Sequence, residues 1–90
     1  MDHDNEILNE REHTHGDFRC TASAAQKLKL TARCYPNYLD MPDVNRESLD
    51  MIFTKISRLL SGNHSEVDTW DDIAGYATLA AETLRGHHEN

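Results

Sequence analysis

The sequence predicts an all-α protein, a compact four-helix bundle that forms a single domain over residues 1–90. Long segments carry apolar residues at three- and four-residue steps, the spacing that places side chains on one face of an α-helix. Gly, Asn and Pro residues separate these segments, and no run alternates in the manner of a strand. Because a chain of 90 residues is short for a self-sufficient core, we expect it to form a homodimer.

The first two helices are predicted over about residues 4–12 and 17–34. Gly16 interrupts the helical pattern, and Asp17 is placed to cap the second helix. The apolar face of the second helix consists of Phe18, Ala22, Ala25, Leu28 and Ala32. Residues 35–42 contain both prolines of the chain and are predicted to be a connection.

The third and fourth helices are predicted over residues 43–61 and 67–85. The third has the clearest stripe, which consists of Leu49, Ile52, Phe53, Ile56, Leu59 and Leu60. The face of the fourth is mostly alanine and consists of Trp70, Ile73, Ala74, Ala77, Ala80, Ala81 and Leu84. Small side chains allow close approach, so this face is predicted to pack against the third helix with Trp70 as a core anchor.

Charge and composition exclude several function classes. The formal net charge is −7 with only nine Lys and Arg residues, which argues against binding to a nucleic acid duplex or an anionic membrane. A divalent cation, a basic protein surface and solvent remain as partners of the acidic groups. Two cysteines are too few for a disulfide framework, and no apolar run is long enough to span a membrane. We therefore expect a reduced protein in the cytoplasm.

Two groups of carboxylates are the main candidates for a functional site. Glu47 and Asp50 lie on the third helix, and Asp68, Asp71 and Asp72 lie on the fourth. Residues three or four apart on a helix point the same way, so each group could present two carboxylates to Mg²⁺. A magnesium ion held in this way would bridge the phosphates of a nucleotide and support attack of water on a phosphoanhydride.

Each candidate also has a structural interpretation that the sequence leaves open. Glu47 lies nearly opposite the apolar stripe, as on a solvated surface. Ser65 with Asp68, and Thr69 with Asp72, resemble capping boxes in an acidic form. The carboxylates would then be solvent-facing or would stabilise the start of the fourth helix.

Further polar and aromatic residues could complete such a site. Lys55 and Arg58 share one side of the third helix, where they could bind phosphate or form salt bridges with Asp50, Asp71 or Asp72. The candidates for a surrounding pocket are His15, Asp17, Trp70 and Tyr76. For Tyr76, packing or dimerisation is the alternative to a wall of a base pocket.

Three stretches of the chain carry a resemblance to known proteins. They are residues 7–18, which contain Thr14-His15-Gly16-Asp17-Phe18, residues 50–63, which contain Lys55-Ile56-Ser57-Arg58, and residues 68–77, which contain Trp70-Asp71-Asp72-Ile73-Ala74-Gly75-Tyr76. Together they resemble a family of small phage and prophage proteins of unknown function over nearly the whole chain. The chain is more distantly similar to the phage nucleotide-modification-associated domains.

The acidic layout also resembles the all-α nucleoside triphosphate pyrophosphohydrolases of the MazG-like and dimeric dUTPase group. This resemblance implies that Glu47 with Asp50, and Asp68 with Asp71 or Asp72, bind magnesium, and that the protein is a dimer or tetramer. The first acidic motif of that group has three acidic residues, and this chain offers two. Magnesium-dependent nucleotide binding or pyrophosphohydrolysis in a phage-encoded protein is therefore the leading hypothesis, although whether the chain is an enzyme stays open. The alternative is an acidic module without catalysis that inhibits or redirects a host protein.

Overall fold

The computed structural model describes residues 17–86, in which four α-helices follow one another. They are α1 (Phe18–Arg33), α2 (Pro36–Asp40), α3 (Asp43–Ser61) and α4 (Val67–Arg85). This part of the chain contains no strand, so the all-α four-helix prediction is confirmed. The helix predicted over residues 4–12 lies outside the described residues.

The short helix α2 lies where the sequence predicted an irregular connection. Pro36 occupies its first turn, where a missing N–H costs nothing and the fixed φ of proline favours a helical start. Tyr38 of α2 is buried, with 4% of its surface exposed. Pro42 directly precedes α3, in agreement with the helix predicted from residue 43.

The ends of α1 and α4 are stabilised in different ways. Asp17 caps α1 by accepting a hydrogen bond from the backbone N–H of Arg19 at 3.4 Å. Gly86 ends α4 in the left-handed conformation, with φ of 79°. At the start of α4 no side chain of residues 17–86 caps the helix, so the capping-box interpretation of the acidic residues is wrong. Thr69 lies within α4 instead and is buried.

The three long helices form a layer with α3 in the centre. Helix α3 packs along both α1 and α4, whereas within residues 17–86 no comparable packing joins α1 to α4. On one side of α3, the hydroxyl oxygens of Thr21 and Ser61 lie 2.6 Å apart. On its other side, the amide Nδ2 of Asn45 donates to the carbonyl oxygen of Ala80 at 3.3 Å.

Few apolar side chains of the described helices are fully buried. Ala25, Tyr38 and Leu59 are the buried apolar residues of residues 17–86, and Ser48, Ser57 and Thr69 are buried beside them. The predicted stripe of α3 is at least partly covered from Leu49 to Leu59, whereas Leu60 is exposed. Phe18 at the start of α1 is exposed as well. Among the described helices, much apolar surface is therefore left exposed.

The predicted core face of α4 is wrong in part. Trp70 is 54% exposed and is therefore not a core anchor, and Ala74, Ala77 and Leu84 are also exposed. Helix α3 instead contacts the face of α4 that contains Thr69, Ile73, Tyr76 and Ala80, all of which are buried or half-buried. On this side of α4, Asn45 donates a hydrogen bond to the carbonyl oxygen of Ala80 and Lys55 pairs with Asp72.

Candidate functional site

Tyr38 and Asp50 form the polar contact on which the candidate site is built. The phenol O–H of Tyr38 donates a hydrogen bond of 2.8 Å to Oδ1 of Asp50. Arg33 approaches the other carboxylate oxygen, with its Nη2 atom 3.5 Å from Oδ2. Only 16% of the Asp50 side chain is exposed. The carboxylate is therefore held in one orientation by groups from α1 and α2.

Two guanidinium groups lie over the ring of Tyr38. The Cζ atom of Arg33 is 5.5 Å from the ring centroid, and the Cζ atom of Arg46 is 5.9 Å from it. Both distances are within the range of cation–π attraction. Arg46 also donates to the carbonyl oxygen of Leu39 at 3.3 Å and pairs with Asp43 at 2.7 Å. The short helix α2 thus brings an arginine of α1 and an arginine of α3 together.

The surroundings of Tyr38 keep its phenol protonated. Burial raises the pKa of Tyr38 above its ordinary value, and the hydrogen bond to Asp50 and the charge of Asp50 raise it further. The positive charges of Arg33 and Arg46 act in the opposite direction and are smaller effects. Tyr38 therefore serves as a hydrogen-bond donor to Asp50 at neutral pH.

These residues line an open cleft of about 410 Å³ between α1, α2 and the start of α3. The lining residues are Arg33, Tyr38, Leu39, Asp43, Arg46, Glu47 and Asp50. The two guanidinium groups and three carboxylates give the cleft a formal charge of about −1 at neutral pH. A site of this composition offers donors to an anion and oxygen ligands to a cation in the same space.

The structure brings together some of the carboxylates that the sequence singled out and separates the others. Glu47 and Asp50 both line the cleft. Asp72 lies on the other side of α3, where its Oδ2 atom is 2.9 Å from Nζ of Lys55. Asp68 and Asp71 are exposed on α4. Within residues 17–86, no group of three or more His, Cys, Asp or Glu side chains is placed to hold a metal ion.

The predicted phosphate-binding pair does not line the cleft. Lys55 is engaged by Asp72, which matches the salt-bridge interpretation of this lysine. Arg58 is half-buried on α3 and forms no ion pair with another described residue. The arginines that line the cleft are Arg33 and Arg46 instead.

The candidate pocket residues do not form one site. Tyr76 lines two shallow grooves beside α4, one of which it shares with Asp71 and Asp72. Trp70 lies about 120° from Tyr76 around the helix axis, and its Nε1 atom donates to the carbonyl oxygen of His64 at 2.8 Å. Asp17 caps α1, and His15 lies outside the described residues.

Of the residues that line the cleft, only Glu47 and Asp50 were sequence-based candidates, so Arg33, Tyr38 and Arg46 were missed. The only available signal was the pair of prolines, because Pro36 and Pro42 bracket a segment short enough to form one turn of helix. That turn places the Tyr38 ring between the end of α1 and the start of α3. Periodicity alone treats these residues as surface positions.

The fold and the cleft together define an all-α protein with a charged cleft at one end of a three-helix layer. The chain belongs to the family described as Domain of unknown function (DUF6378), which it matches over residues 1–84. No curated protein and no solved structure matches the chain. Within residues 17–86, no helix is long and apolar enough to cross a membrane.

Proposed function

We propose that the protein binds the magnesium complex of a phosphorylated nucleotide in the cleft beside Tyr38. The observation that carries this proposal is the convergence of Arg33 and Arg46 on the Tyr38 ring, next to the fixed carboxylate of Asp50. Each guanidinium has five N–H donors and can bind two phosphate oxygens side by side. Arg46 would exchange its pairing with the exposed Asp43, a contact that contributes little, for the phosphate.

The negative charge of the cleft favours binding of phosphate together with a cation. With a formal charge of about −1, the cleft disfavours a free phosphate dianion. Mg²⁺ is commonly held by one or two carboxylates together with substrate phosphates and water, so a cluster of three carboxylates is not required. Glu47 and Asp50 would hold the cation, which neutralises phosphate charge when bound.

Pyrophosphohydrolysis is the chemical extension of this proposal. Water would attack the α-phosphorus of a nucleoside triphosphate, and the bond between that phosphorus and the α–β bridging oxygen would break, so that pyrophosphate leaves with the bridging oxygen. Glu47 is the carboxylate of the cleft that forms no hydrogen bond or ion pair within residues 17–86, so it is the group that could accept the proton of the water. A phage-encoded enzyme of this kind, resembling the MazG-like group, would meet its nucleotides in the host cytoplasm.

The test compares two arginines of the same helix. Calorimetric titration of the full chain with magnesium and a panel of nucleoside triphosphates should give binding that is lost in EDTA. Arg46→Gln should weaken binding by about tenfold or more, the effect of losing one charged hydrogen bond. Arg58→Gln should leave binding unchanged, because Arg58 lies outside the cleft.

The two arginine variants and a product assay distinguish the location of the nucleotide and separate binding from hydrolysis. No heat with any nucleotide would refute binding, and a loss confined to the Arg58 variant would move the phosphate site to the predicted pair Lys55 and Arg58. Release of pyrophosphate, measured on the same samples, separates hydrolysis from binding alone. Binding without product supports the binding proposal and rejects the enzymatic extension.

The second candidate is an acidic module that binds a host protein. Asp68 and Asp71 support it, since both are exposed at the start of α4 and neither forms an ion pair within residues 17–86. Changing both residues to Asn should abolish capture of a basic host protein and leave nucleotide titration unchanged. Capture that survives both changes would refute this candidate, and loss of nucleotide binding would place the nucleotide on α4 instead of in the cleft.

A further inference from the structure

Helix α4 carries an apolar stripe that no described element covers. The stripe consists of Val67, Trp70, Ala74, Ala77, Ala81 and Leu84, which alternate at steps of three and four residues over the whole helix. All except Ala81 are exposed. The packing of α3 lies about a third of a turn away, on Thr69, Ile73, Tyr76 and Ala80. This 3.5-residue repeat is the spacing that two helices use to pair along their length.

We propose that the α4 stripe is the surface on which a second copy of the chain docks, with the two α4 helices antiparallel. In this register Trp70 faces Ala81 of the partner, Val67 faces Leu84, and Ala74 faces Ala77. The large side chain of Trp70 therefore packs against the small side chain of alanine, and the centre of the interface contains only alanine side chains. A parallel pair would instead stack Trp70 on Trp70 and leave the alanine layers to face one another.

Charge next to the stripe also selects the antiparallel pair. Asp71 and Arg85 flank the stripe on the side away from α3. Antiparallel pairing places Asp71 of each copy beside Arg85 of the other copy. Arg85 is 3.7 Å from Glu82 on its own helix, an exposed contact that contributes little and does not exclude the new pair. In a parallel pair Asp71 would lie beside Glu66 of the partner, and like charges would repel.

The rest of the chain is a poor candidate to cover the stripe. Residues 1–16 contain only three apolar side chains, Met1, Ile7 and Leu8, and residues 87–90 contain none. The stripe has six apolar positions over a helix about 28 Å long. A second copy supplies a surface of matching length and composition.

The first experiment measures mass and tryptophan exposure. Analytical ultracentrifugation of the full chain should give a dimer, and Ala77→Glu should give a monomer with an unchanged circular dichroism spectrum, because Ala77 is exposed in the protomer. Leu30→Glu, at an exposed position of α1, is the control and should remain dimeric. Trp70 is the only tryptophan, so dilution to monomer should increase its quenching by acrylamide.

The second experiment tests the orientation. Cys20 and Cys34 are free and exposed, so both are first changed to Ser. In that background Ala77→Cys should cross-link to its own copy, whereas Leu84→Cys should not, because the two Leu84 positions would lie about 25 Å apart along the axis. Asp71→Arg should weaken the dimer, and adding Arg85→Asp should restore it.

Several results would overturn this inference. A wild-type monomer with Trp70 already shielded from acrylamide would show that another part of the chain covers the stripe. A dimer that survives Ala77→Glu would place the interface elsewhere, and cross-linking through Leu84→Cys would show a parallel pair. Nucleotide binding by the Ala77→Glu monomer separates this inference from the proposed function, because the stripe and the cleft share no residue.

Discussion

Lys55 of α3 and Asp72 of α4 form the ion pair that joins the two longest helices, with Nζ and Oδ2 atoms 2.9 Å apart. The lysine side chain is only 13% exposed, whereas the aspartate side chain is 49% exposed. This pair gives Asp72 a structural role. It also places Asp72 on the side of α3 away from Asp50, whose carboxylate faces Arg33 and Tyr38.

Removing the charge of Asp72 should reduce the free energy of unfolding more than removing the charge of Lys55. Asp72→Asn leaves a largely buried ammonium without its counter-ion and should reduce the free energy of unfolding by about 1–3 kcal/mol. Lys55→Met keeps the aliphatic packing and leaves a half-exposed carboxylate that water can solvate, so its cost should be below about 1 kcal/mol. Urea denaturation of both variants measures the difference. Equal costs, or a larger cost for Lys55→Met, would contradict the role assigned to this pair.

The hydrogen bond from Tyr38 to Asp50 should make stability depend on alkaline pH. Because the pKa of Tyr38 is raised in the folded protein, the native state holds the phenol proton more tightly than the unfolded state does. This contribution is complete below the unfolded pKa of about 10 and is lost as pH rises through the folded pKa. Stability should therefore fall above about pH 10.

Tyr38→Phe is the matched variant for this prediction. At pH 8 it should reduce the free energy of unfolding by about 1–3 kcal/mol, the cost of a lost hydrogen bond to a charged acceptor. Every other side chain is common to both proteins, so the difference between wild type and variant isolates Tyr38. That difference should shrink as pH rises. A constant difference across the alkaline range would show that the phenol proton does not contribute.

The two glycines at the middle and end of α4 should respond oppositely to alanine. A Cβ atom added at Gly75 would meet nothing within 4 Å beyond the adjacent residues and nearby backbone of its own helix, so Gly75→Ala should stabilise the helix by about 0.5–1 kcal/mol. Gly86 has a φ of 79°, which a residue with a side chain adopts with strain, so Gly86→Ala should destabilise the protein. Thermal denaturation of both variants tests the signs. Destabilisation by Gly75→Ala would imply a close neighbour at that position.

The stability of the protein should depend strongly on Leu59, because few apolar side chains of the described helices are buried. This leucine is buried at the centre of the layer, and Leu59→Ala should cost about 2–5 kcal/mol. Leu30→Ala makes the same chemical change at an exposed position and should cost less than about 0.5 kcal/mol. Denaturant titration of the pair provides the comparison. Similar costs at both positions would contradict the packing described for α3.

Much of the helical organisation could be predicted from the sequence. The stripe from Leu49 to Leu59 correctly predicted the buried side of α3, because a central helix has neighbours on two sides and nearly every apolar residue finds a contact. Asp17 and Gly86 act at helix ends as local backbone chemistry requires. These signals depend on neighbouring residues alone, so they could be interpreted without knowledge of tertiary packing.

The face of α4 and the composition of the cleft could not be predicted in the same way. Helix α4 has two faces suited to packing, and the face that meets α3 is the one where Asn45 and Lys55 contact α4. Arg33 and Arg46 become neighbours only because one turn of helix places Tyr38 between them. Such long-range relationships leave no periodic signal.

The most direct test of the proposed function locates the nucleotide on the protein. Two-dimensional NMR spectra of the full chain, recorded during titration with the magnesium complex of a nucleoside triphosphate, report each residue separately. Binding in the cleft should shift the backbone amides of Tyr38, Glu47 and Asp50 and the side-chain Nε–H groups of Arg33 and Arg46. Shifts confined to Lys55, Arg58 and the acidic start of α4, or no shifts at all, would refute nucleotide binding in the cleft.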